Sequence, residues 1–75
     1  MSRRLHVHLK RADGALVRLL GLAERRGYPP ERVVAAPVSP DTQLVRLTLG
    51  GERPLEPLVR KLSGLYDVHT LETLQ

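Results

Sequence analysis

Residues 12–30 read ADGALVRLLGLAERRGYPP, and the reading of this stretch decides the rest of the chain. Leu16, Leu19, Leu20 and Ala23 recur at i, i+3, i+4 and i+7, one face of an α-helix. Asp13 stands where a side-chain cap is expected. Arg25 and Arg26 fall in the last turn, where cations suit the negative end of the helix dipole. Gly27 supplies a left-handed residue to close the helix, and Pro29-Pro30 forbid its continuation. Gly14 is the anomaly. Glycine inside a helix costs about 1 kcal/mol relative to alanine, so its place at the start reads either as a tight strand-to-helix turn or as room for something that approaches the backbone closely.

The flanks alternate. In RLHVHLK (4–10), Leu5, Val7 and Leu9 share one side, and Arg4, His6, His8 and Lys10 share the other, which predicts a half-buried strand. RVVAAPV (32–38) reads as a second strand, and Pro37 assigns it to a sheet edge because proline donates nothing to a ladder. SPDT (39–42) is a turn, and QLVRLTL (43–49) is a third strand with Val45, Leu47 and Leu49 on one face. A second helix is expected from about Pro54 to Leu62–Ser63, with Pro54 and Pro57 in its first turn, where a missing N–H costs little. Leu55, Leu58, Val59 and Leu62 form its stripe and Gly64 its end, and YDVHTLETL (66–74) is a weaker last strand. The order β-α-β-β-α-β predicts an α+β, ferredoxin-like sandwich, a four-stranded antiparallel sheet with two helices on one face. Its other face carries His6, His8, Arg46 and Thr48.

Composition narrows the function. The 75 residues make one domain, 1–75. There is no Phe, Trp or Cys, so Leu and Val must build the core and thiol chemistry is excluded. The longest apolar run is the four residues Val33, Val34, Ala35 and Ala36, which excludes a membrane span and, with no secretory leader, places the protein in the cytoplasm. Twelve basic residues against eight acidic ones give a net charge of +4. The bases are spread along the chain without an aromatic platform, so nucleic acid is not an expected partner. No catalytic residues are expected. Ser39 and Ser63 lack a nucleophile-elbow context, and Gly50-Gly51 lacks the Lys-Ser/Thr of a phosphate loop. His6, His8 and His69 bring no carboxylate or thiol at ligand spacing, so no metal site is expected.

GALVRLLGLAERRGY (14–28) resembles the signature of the ACT domain, and within that family the first helix of the small regulatory subunits of acetohydroxyacid synthase (acetolactate synthase). Those share Gly-Ala-Leu, a mid-helix Gly-Leu and a terminal Arg-Gly-Tyr/Phe at this spacing. LVRKLSGLYDVHTLE (58–72) resembles their second helix and last strand, where a Lys-Leu precedes an Asp-Val. The chain length resembles the short, isozyme II type. The resemblance implies a non-catalytic activating subunit in branched-chain amino-acid biosynthesis, with a large catalytic subunit as partner. Thiamine diphosphate, Mg and FAD would reside on that partner and no cofactor on this chain.

The same resemblance implies an effector or partner contact at Asp13, Gly14, Ala15 and Leu16, at a helix N-terminus that faces a neighbouring subunit. A free-standing amino-acid sensor acting at a homodimer interface is the alternative. The family's Asn-Ile after Gly-Tyr/Phe is here Pro29-Pro30, which removes a side-chain amide and leaves at most a weak amino-acid effector. Val33, Val34, Ala35 and Ala36 form a nearly uncharged edge suited to pairing with a second copy in a homodimer.

Overall fold

The computed structural model describes residues 3–74. Alternation makes Arg3–Lys10 the strand β1, with Leu5, Val7 and Leu9 wholly buried. It is followed by α1 (Ala15–Arg25), β2 (Pro30–Pro37), β3 (Thr42–Leu49), α2 (Glu56–Ser63) and β4 (Val68–Leu74). All three ladders are antiparallel, in the order β2-β3-β1-β4. This is the ferredoxin-like sandwich. β1 lies inside the sheet between β3 and β4, and β2 is at an edge, where Pro37 is tolerated.

The core is one cluster. Val7 lies opposite Val45 and Leu5 opposite Leu47. Ala15, Leu19 and Ala23 of α1 and Leu58 and Leu62 of α2 close over them. The alanines at both ends of the α1 stripe let that helix settle close to the sheet, while Leu16 and Leu20 flank it half-buried. Tyr28 is the one aromatic side chain of the core. It is delivered there by the closure of α1. Gly27 takes φ 92°, the Tyr28 N–H reaches back to the Ala23 carbonyl at 2.9 Å, and the Gly27 N–H reaches Glu24 at 3.0 Å. This double bond pattern satisfies two of the helix's orphan carbonyls. The Tyr28 hydroxyl then donates to the Pro54 carbonyl at 2.6 Å and ties the β3–α2 loop to the core.

Several expected boundaries shift. Asp13 is not the cap of α1: Gly14 is, at φ 79°, ψ −4°, and no side chain caps the helix. The left-handed glycine turns the chain so that the Ala15 N–H closes onto the Ala12 carbonyl at 3.1 Å, leaving Asp13 exposed, one residue too early. Pro54 lies outside α2, which starts at Glu56 behind Leu55, because its carbonyl is held by Tyr28. Gly64 ends α2 at φ −84° without left-handed geometry. β4 begins at Val68, since Asp67 is still in the turn, with its carbonyl accepting the Lys10 N–H at 2.7 Å. β2 begins at Pro30, with a register shift before Arg32.

Candidate functional site at the start of α1 and along the edge strand

The four residues expected to meet an effector or partner divide. Asp13 and Gly14 are exposed in the turn, Leu16 is half-buried, and Ala15 faces the core at 1% exposure. The space beside Gly14 is taken by a side chain of the same helix. A Cβ on Gly14 would stand 2.8 Å from Nη1 of Arg18. The other guanidinium nitrogen, Nη2, donates to Oδ2 of Asp67 at 2.6 Å. Asp67 is nearly buried and Arg18 about half-exposed. A cation over the positive end of a helix is unfavourable by itself, and the Asp67 carboxylate offsets it. The start of α1 is thus roofed by an ion pair that joins α1 to the β4 turn. No spacing rule finds a pair 49 residues apart; its only trace in the sequence was the Asp-Val of the family resemblance.

The edge strand is open on both faces. Val33, Val34, Ala35 and Ala36 are all exposed. Val33 pairs with Leu47 and Ala35 with Val45, so both lie on the helix side of the sheet, yet neither helix covers them. Val17, on α1, is 74% exposed. The Val38 N–H donates inward to Thr42 at 3.0 Å. By the alternation of an antiparallel ladder, Val33, Ala35 and Pro37 turn their backbone groups outward, and Pro37 has no N–H to offer.

The outer sheet face carries Arg4, His6, His8 and Lys10 of β1 beside Thr48, Arg46 and Leu44 of β3. His8 Nδ1 lies 3.2 Å from Thr70 Oγ1 on β4. His69 is skipped by the bulge that carries the register from His8–Thr70 to Leu9–Val68, which separates it from the other two imidazoles. Among the described residues no three His, Asp or Glu side chains gather as a metal site. At the β2–β3 turn, hydrogen bonds from Ser39 and then Thr42 hold the Asp41 carboxyl below its ordinary range, and the charge of His69 adds to this.

Strand order, helix placement and the left-handed glycine at the start of α1 describe a small βαββαβ module that presents a glycine turn and a free strand edge. The sequence pattern of the ACT domain matches residues 11–71, and the chain belongs to that family. Its relatives include the acetolactate synthase small subunit of Buchnera aphidicola subsp. Schizaphis graminum, 38% identical over 71 residues. The acetolactate synthase isozyme 3 small subunit of Escherichia coli (strain K12) is 41% identical over 71 residues. Each comparison covers 91% of this chain but only 44% and 43% of the relative, so the chain spans less than half the length of the curated relatives it matches. Among solved structures, the ACT domain from GTP pyrophosphokinase of Chlorobium tepidum superposes with a TM-score of 0.81 at 16% identity, covering 99% of this chain and 97% of that one. The C-terminal domain of the MgtC protein from Mycobacterium tuberculosis gives 0.75 at 19% identity, covering 97% and 84%. At such identities these two likenesses speak for the fold alone. Among the described residues, no helix is long and apolar enough to cross a membrane.

Proposed function

We propose that this chain is a regulatory, non-catalytic small subunit of acetolactate synthase, which binds a larger catalytic subunit and raises its activity. The observation that carries the reading is the 38–41% identity to acetolactate synthase small subunits across 91% of the chain. The holoenzyme would condense two pyruvates, or pyruvate with 2-oxobutyrate, in branched-chain amino-acid biosynthesis in the cytoplasm. Thiamine diphosphate, Mg and FAD belong to the catalytic partner in this reading. The small chain contributes a population shift: it binds the partner's active arrangement more tightly than the inactive one.

Of the four expected residues, the contact is assigned to the exposed Asp13 and Gly14 and the half-buried Leu16, with Arg18 beside them, while Ala15 anchors the turn to the core. The exposed Gly14 turn and the half-exposed guanidinium of Arg18 supply a surface that a carboxylate or a backbone carbonyl of the partner suits. A homodimer along Val33, Val34, Ala35 and Ala36 completes the reading, with Val17 available to the same neighbour. In this reading the chain is of the isozyme II type, and Pro29-Pro30 after Gly27-Tyr28 leave feedback by valine weak. The experiment mixes the purified chain with a purified acetolactate synthase catalytic subunit from the same source and measures acetolactate formation. A several-fold rise in rate that saturates with added chain is the expected result. Failure both to activate and to co-sediment with that subunit would sink the reading.

A further inference from the structure

The geometry points to a second binding site, on the outer face of the sheet, for a compact polyphosphate group. Three of the twelve bases, distant in the sequence, converge there. Arg32 and Arg4 both lie opposite Thr48, one from β2 and one from β1, and Arg46 lies in the next row, opposite Val34 and His6. Two strand spacings separate the outer pair, about 10 Å, so three guanidiniums and an imidazole ring one small area. Between them is a hollow of about 400 Å³ lined by Arg4, His6, Arg32, Val34, Arg46 and Thr48. That volume is in the range of small-ligand sites.

The charges in this hollow are uncompensated. Three other arginines are engaged: Arg3 donates to the Gly50 and Arg53 carbonyls, Arg11 to Ser39 and Pro40, and Arg18 to Asp67, while Arg25, Arg26, Arg53 and Arg60 stand outside this hollow. Among the described residues, Arg4, Arg32 and Arg46 have no hydrogen-bond acceptor or carboxylate within reach. The nearest acids do not neutralise them. The Glu31 carboxylate lies against Gly50, and Glu72 is opposite His6 on the β4 side. Like charges gathered across a ladder destabilise a sheet, so an anion that bridges them is bound at a site the fold already maintains at a cost. Guanidinium forks match phosphate oxygens bidentately, the Thr48 hydroxyl and a His6 ring N–H add donors, and three cations in one area call for an anion of more than one charge. No tyrosine ring lies in the hollow to stack a base, and the chain has no Phe or Trp; Tyr66 stands by Lys10, at the far end of the face. The occupant is therefore a di- or triphosphate group rather than a nucleic-acid strand. Pairing of β2 edges runs in the plane of the sheet and leaves this face open, and the site does not rest on the activating role proposed above.

The test titrates the intact chain with inorganic tripolyphosphate at low ionic strength, followed by amide chemical shifts and calorimetry. The expected result is saturable binding, with shifts centred on Arg4, His6, Arg32, Arg46 and Thr48. Arg46→Gln should weaken it about tenfold, equivalent to about 1.4 kcal/mol, while Arg60→Gln on the helix layer leaves it unchanged. Both variants alter exposed side chains, and unchanged thermal unfolding certifies their fold. Shifts centred on the helix ends at Arg25, Arg26, Arg60 and Lys61, or equal weakening by the two variants, would show unspecific attraction and overturn the site. So would a short single-stranded oligonucleotide that binds more tightly than tripolyphosphate, or no saturable binding of tripolyphosphate at millimolar concentration.

Discussion

Gly14 holds φ at 79°, where an L-residue with a Cβ pays about 1–2 kcal/mol. Crowding is a lesser matter, because what a Cβ would meet is the flexible end of Arg18. The two effects separate by substitution. Gly14→Asn, a side chain that tolerates the left-handed region, is expected to fold with a loss under about 1 kcal/mol and to depress activation of the catalytic subunit, because it fills the contact proposed there. Gly14→Val is expected to lose about 2 kcal/mol in urea unfolding, since β-branching is poorly suited to that backbone. Normal activation by folded Gly14→Asn would move the partner contact elsewhere. Tyr28→Phe removes the hydroxyl bond to Pro54 and is expected to cost about 1 kcal/mol, read in the same unfolding assay. Asp41 has a lowered folded pKa, from the Ser39 and then the Thr42 hydroxyls. Its contribution is complete above the unfolded carboxylate pKa, about 3.9, and is lost as pH falls through the lower folded value. A carboxyl titration by NMR should place Asp41 below the ordinary aspartate value, about 3.9, and Ser39→Ala should raise it.

At the scale of elements, β2 is the part of the fold that looks unfinished. Its apolar residues are exposed on both faces, and Val33 and Ala35 present backbone groups outward. Pairing with a second copy would cover them and the flank of α1 at Val17. Sedimentation at high micromolar concentration is expected to show a dimer, and Ala35→Lys, a charge placed on the edge, is expected to shift it to monomer. A monomer for the unaltered chain at that concentration would contradict the assembly. Periodicity located β1, β3 and both helices, because alternation and the 3.6-residue repeat survive any packing; β2 was legible as an apolar run marked as an edge by Pro37. Their ends were less legible. Asp13 looked like a cap by type, but the turn geometry gave that position to Gly14. Pro54 suits a first helical turn, yet the Tyr28 hydroxyl holds it outside α2.

For the whole molecule, twelve buried apolar residues among the described ones carry the fold of a 75-residue chain. Stability of roughly 4–11 kcal/mol is the scale for this length. Leu19→Ala, at the centre of the α1 stripe with no exposure, is therefore expected to remove about 3 kcal/mol and a large part of the total. Valine is expected to bind more weakly than about 100 μM, near 5.5 kcal/mol, by calorimetry on the intact chain; tighter binding would restore an effector role despite Pro29-Pro30. The sequence by itself determined the order of elements, the buried side of β1 and of β3, the sandwich they form and the family resemblance, because these follow from local periodicity and turn chemistry. Tertiary structure alone decided that Arg18 meets Asp67 over the helix start. It also decided that Arg32 joins Arg4 and Arg46 around one hollow, in the register that the β2–β3 hairpin carries from Pro37 back to Arg32. The reason is physical: such contacts join residues distant in the chain, and their geometry depends on strand order, register and bulges that no local pattern encodes.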